Sequence, residues 1–137
     1  LDKDLAEPIQ KKDDLAVFEA FAFHVLHHTQ KQEERENLKI LVHARLKEDH
    51  FHRIHFHKKD TLMISRLEDY VERRIREGAF VDINPQTVIY AYQAMVSNLA
   101  IYKNVMKKMD FVSIEELSRD CARIFLKGLV RSSEAET

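Results

Sequence analysis

The chain has 137 residues, 45% of them apolar, with 22 basic and 23 acidic side chains, a net charge of −1, and only two Gly, two Pro and one Cys. That length suits one domain with a sizeable core, and so few turn-forming residues predict long helices. The balanced charge excludes a basic footprint for nucleic acid or an anionic membrane, and the lone Cys121 excludes an internal disulfide framework and suits a reducing cytoplasm.

No apolar run approaches the roughly 18 residues of a membrane span, and no secretory signal pattern opens the chain. It begins at Leu1 without a methionine, as a fragment or processed product would. Residues 1–12, interrupted by Pro8, read as a helix end or tether. Asp13 and Asp14 then stand at the positive end of a helix whose apolar stripe is Leu15, Phe18, Ala22, Val25 and Leu26. Phe21, His24 and His28 widen that stripe. The polar run Thr29–Asn37 reads as a break or exposed turn, followed by a second apolar set at Leu38, Leu41, Val42 and Leu46.

Residues 48–57 are rich in His and Phe, with Phe51 and Ile54 on one helical side. Asp60 or Thr61 is the expected cap of the next helix, whose stripe is Ile64, Leu67, Tyr70 or Val71, and Ile75. Gly78 follows where a helix can close in a left-handed conformation. Asn84 and Pro85 restart the chain as N-cap and first helical residue. Between them Phe80 is expected to tuck under the corner.

The helix from Pro85 to Lys107 is apolar on two sides. Val88, Tyr92, Met95, Leu99, Tyr102 and Met106 share one line, and Tyr90, Ala94, Ile101 and Val105 another. Such a helix needs two covers: its own core and either further helices or a partner subunit. Residues 109–112 read as a loop, Ser113–Glu116 as a capping box, and the last helix carries Ile114, Leu117, Cys121, Ile124, Phe125 and Leu129. Residues 132–137 form a polar tail. The expected fold class is all-α, a single helical-bundle domain of five to six helices over 13–131.

The run Tyr70–Phe80, the Asp82-Ile-Asn-Pro85 restart, the apolar helix and Glu115–Leu129 together resemble the C-terminal half of TetR-family transcriptional regulators. The resemblance covers Arg66 to Arg131. It implies an effector-binding and dimerisation domain that controls a separate N-terminal helix-turn-helix. It also implies a homodimer through a four-helix bundle of the last two helices, with Leu99, Tyr102, Met106, Leu117, Ile124, Phe125 and Leu129 at the interface. The basic recognition helix of that family is not present in these residues, so operator DNA would be reached only through another domain.

The candidate effector site combines Phe18, Phe21 and His24 with Met63 and Leu67 before the corner and Tyr92 and Met95 after it, an apolar lining with polar tips. A small lipophilic ligand is the expected partner, with no cofactor. The competing reading is a helical protein-interaction module without a small ligand, distinguished by a filled core. A third is a metal-binding bundle using His24, His28 and the His50–His57 cluster, since a four-residue spacing puts two imidazoles on one helix face. No His-Glu-x-x-His occurs, and no metal ligands are assigned. Catalysis is not expected: Ser65, Ser97, Ser113 and Ser118 lack a nucleophile elbow, and Cys121 sits on an apolar stripe.

Overall fold

The computed structural model describes residues 2–46 and 58–131. The His50–His57 cluster and the Phe51/Ile54 pattern lie outside them. Among the described residues the chain is all-helical: α1 (Asp2–Lys11), α2 (Asp14–His28), α3 (Gln32–Leu46), α4 (Lys58–Arg76), α5 (Pro85–Ala100) and α6 (Ile114–Leu129). α4 begins at Lys58, ahead of the Asp60 or Thr61 cap expected from sequence.

α2 is the axis of the domain. It lies along α6, against α5 and against α1, which is why its apolar stripe is unusually broad. Val17, Phe18, Phe21, Ala22 and Leu26 are all buried. Asp13 caps it, its carboxylate accepting the Ala16 N–H at 3.1 Å. α1 is a packed element: it continues through Pro8, and Leu5 is completely buried in the common core.

α1 and α4 end in the same way. Lys12 and Gly78 both take left-handed backbone, with φ of 54° and 81°. In each, a hydrogen bond spans six residues, Asp13 N–H to Pro8 C=O and Ala79 N–H to Arg74 C=O, both 3.0 Å. This is the Schellman closure, cheap for Gly78 and strained for Lys12. The two closures meet: Lys12 pairs with Glu77, and Arg73 donates to the Ile9 carbonyl at 3.2 Å.

Beyond the corner, Asn84 accepts the Gln86 N–H at 2.9 Å and Pro85 opens α5. Phe80 is fully buried under the corner, as its lone aromatic character suggested. A short antiparallel bridge then joins the corner to the end of α6, with Val81 N–H to Leu129 C=O and Arg131 N–H to Ala79 C=O, both 2.8 Å. Ser113 caps α6 by accepting the Glu116 N–H at 3.1 Å.

α5 ends in a π-helical turn, Ile101–Val105, in which Met106 N–H reaches back five residues to Ile101 C=O at 2.9 Å. The wider turn changes which side chains point inward. The buried line runs Val88, Tyr92, Val96, Ala100, Asn104, every fourth residue, and the expected continuation through Tyr102 and Met106 turns outward.

Candidate functional site

Six of the candidate effector-site side chains are buried and converge on one core. Phe18, Phe21, Met63, Leu67 and Tyr92 belong to a single apolar cluster, Met95 packs on its edge, and His24 is buried nearby on α2. They touch one another as core does. The Tyr92 ring meets Phe18 edge-on at 4.9 Å and lies 5.8 Å from Phe21, and its hydroxyl donates to the Phe18 carbonyl at 2.7 Å. Burial pushes the Tyr92 hydroxyl well above the ordinary tyrosine range. Phe125, a candidate interface residue, completes this cluster 4.9 Å from Tyr92 and 5.8 Å from Phe18.

The other interface candidates divide. Tyr102, Met106 and Ile124 face outward, 40%, 45% and 67% exposed, while Leu99 is half-buried. Leu117 and Leu129 are buried in the protomer's own core, because the apolar stripe of α6 is spent against α2. Phe111, in the α5–α6 loop, is 81% exposed. Its loop is held from within by Lys103, whose ammonium donates to the carbonyls of Met109 at 3.0 Å and Val112 at 2.5 Å.

The imidazoles of His24 and His28 pack edge to face at 4.3 Å, and His27 stacks on Phe23 at 5.4 Å. No third His, Cys, Asp or Glu joins them in a metal-binding group among the described residues. Cys121 is buried, and burial followed by the Asp120 charge pushes its thiol up to about 11, which leaves it protonated and unreactive at neutral pH. Ser118 spends its hydroxyl on the Ile114 carbonyl at 2.7 Å. No described helix is long and apolar enough to cross a membrane.

Two polar constellations were not read from the sequence. At the meeting of α1, α2 and α4, the Arg74 guanidinium grips Asp14 with two bonds of 3.0 and 3.1 Å, and the Tyr70 hydroxyl donates to the same carboxylate. Arg74 also lies 5.8 Å over the Phe80 ring. Desolvation, then the Asp14 hydrogen bond, raises Tyr70 above its usual range. At the other end of α2, the buried Asn104 amide donates to Leu26 C=O at 2.9 Å and to the Thr29 hydroxyl at 2.6 Å, closing the helix from outside. Asn104 falls four places beyond Ala100, on the line of Val88, Tyr92 and Val96, and that spacing was the available signal for the second; the first joins residues too distant in sequence to leave one.

A concave groove of about 650 Å³ runs between α4 and α5. Ile64 and Glu68 line it from α4, and from α5 come Gln86, Ile89, Tyr90 and Gln93, then Ala94, Ser97, Asn98 and Ile101. This is the second apolar line of that helix, with Tyr90 73% exposed. A shallower recess of about 600 Å³ lies beside Ile124, between Leu15 of α2 and Arg123, Leu126 and Lys127 of α6. None of the seven candidate effector-site residues lines either concavity. No family model, curated protein or solved structure matches the chain.

Proposed function

We propose that this domain is the effector-sensing and dimerisation module of a TetR-like transcriptional regulator, acting on DNA through a separate helix-turn-helix domain. The observation that carries this reading is the outward apolar surface of the last two helices. α5 and α6 each give one face to the core, and Tyr102 in the π-helical turn after α5, Met106 just beyond it and Ile124 on α6 remain exposed. An isolated exposed Leu or Ile means little, but such residues on the two helices that flank one loop favour a partner of the same kind. The Gly78–Pro85 corner and the capped start of α6 are among the features on which the resemblance rests.

The interface in this reading uses Tyr102, Met106 and Ile124 and leaves Leu117 and Leu129 to the core. Light scattering after gel filtration tests it. The wild-type chain is expected to be a dimer, and Tyr102→Glu combined with Ile124→Glu a helical monomer. A wild-type chain still monomeric at roughly 100 µM, where association is weaker than about 5.5 kcal/mol, would remove the dimerisation half of the proposal. A segment of three short helices with a basic third helix, encoded upstream of Leu1, would support the DNA-linked half.

The second reading, a helical interaction module with no small ligand, draws on one specific observation. Phe18, Phe21, Tyr92 and Phe125 fill the space between α2, α5 and α6 with ring contacts of 4.9 to 5.8 Å. Any effector would therefore have to bind elsewhere or separate those rings.

A further inference from the structure

The groove between α4 and α5 has the size, lining and charge of a small-molecule site. Its volume of about 650 Å³ falls inside the 300–1,000 Å³ typical of ligand pockets. Ile64, Ile89 and Ile101 give it an apolar floor, and the Tyr90 ring stands at its rim. Among the described residues its polar groups are neutral amides and hydroxyls with a single acidic member, Glu68, half-buried on α4 one turn from Ile64. No Lys, Arg or His among the described residues lines it.

That combination selects by charge. An anion would meet the Glu68 carboxylate with no cation among the described lining residues to offset it. A neutral apolar molecule would fill the floor but leave that carboxylate partly dehydrated without a partner. A lipophilic cation satisfies both, laying its hydrocarbon on the isoleucines and its charge beside Glu68 and the Tyr90 ring face. Nucleic acid is disfavoured by the same carboxylate. The concavity argues against a flat helix from a second copy as occupant.

We infer that the α4–α5 groove binds a small lipophilic cation, with Glu68 as its counter-ion. The inference deepens the effector half of the regulator reading, yet binding is measurable whether or not the protein dimerises. It also links the ligand to the corner, because α4 carries Glu68 into the groove and, two turns on, Arg74 into the Asp14 junction.

Tetraphenylphosphonium and tetraphenylborate, nearly identical in shape and opposite in charge, are the probes. Titration calorimetry on the wild-type chain is expected to show saturable binding of the phosphonium and none of the borate. Glu68→Gln should weaken phosphonium binding about fivefold, the upper end for a partly exposed ion pair. Ala94→Trp, which fills the groove from α5, should abolish it, with helical circular dichroism reporting that both variants fold. Equal binding of the two ions, or unchanged phosphonium affinity in either folded variant, overturns the proposal. If Ala94→Trp instead turns a wild-type dimer into a monomer, the groove is a contact between copies and the proposal is also overturned. Absent cation binding with an intact dimer sinks the groove alone, whereas cation binding by a monomer supports it and sinks only self-association.

Discussion

Replacing Asp14 by Ala should loosen the junction of α2 with α4. The carboxylate accepts two bonds from Arg74 and one from Tyr70, and the two ionic side chains are only 19% and 16% exposed. A fully buried pair broken on one side costs about 3–5 kcal/mol. Here some water reaches Arg74, and Glu77 remains near it at 3.4 Å, so the loss should be smaller, about 2–3 kcal/mol. For a domain of this size that corresponds to a drop in Tm of about 6–12 °C, read by thermal and urea unfolding followed by circular dichroism. Tyr70→Phe removes only the neutral donor and should cost about 1 kcal/mol. A double-mutant cycle of Asp14→Ala with Arg74→Met should return a coupling of about 1–2 kcal/mol. A loss below about 0.5 kcal/mol for Asp14→Ala, the level of an ordinary surface change, would refute the view that this cluster joins α2 to α4.

The two glycines should respond to alanine with opposite signs. A methyl group added at either would meet no atom within 4 Å, so space is not the issue. Gly78→Ala forces a side chain into φ of 81° and should cost about 1–2 kcal/mol, whereas helical Gly128→Ala should gain up to about 1 kcal/mol in the same unfolding assay. Asn104→Leu strips the outer cap from α2, depriving the Thr29 hydroxyl of its donor and leaving the Leu26 carbonyl only the Thr29 hydroxyl at 3.2 Å, an expected loss of about 1–3 kcal/mol, with faster amide exchange at the end of α2. At alkaline pH the folded Cys121 holds its proton up to about 11 while the unfolded thiol releases it near 9.0. Its contribution is therefore whole below pH 9.0 and declines as pH climbs towards 11. Tyr70 and Tyr92, also raised from 10.0, add to the decline above that value. Urea midpoints across this range should fall, and less steeply for Cys121→Ala between pH 9.0 and 10.0.

Helix punctuation was the most legible part of the chain. Gly78, Asn84, Pro85 and Ser113 act through neighbours within a few residues, and each does in the structure what its chemistry suggested. Inward and outward faces were less legible: past Tyr92 in the regular part of α5 the fully buried positions are Val96 and Ala100, one residue beyond the expected Met95 and Leu99, which are half-buried. The π-helical turn shifted α5 by part of a turn, so Tyr102 and Met106 left the core line and Asn104 entered it. Leu117 and Leu129 could not be divided from Ile124 by periodicity, because α6 is apolar over an arc wider than the strip α2 covers. The candidate pocket failed to separate from the core for a related reason: Phe and Tyr can line a cavity or fill one, and only the ring distances decide. The groove lining was present as the second line of α5, but its one charge comes from α4, whose approach no local pattern encodes.

The pairing of residues 79–81 with 129–131 also puts the domain in time. A ribosome extends a chain at roughly 5–20 residues per second, so Val81 emerges several seconds before Leu129, whose carbonyl it needs. Phe18 waits longer still for Phe125. Until α6 arrives, the broad apolar face of α2 is uncovered and the corner's backbone lacks its partners. The domain therefore completes its fold only once its last helix is free, and a stall in synthesis within α6 would leave an aggregation-prone, unfinished chain.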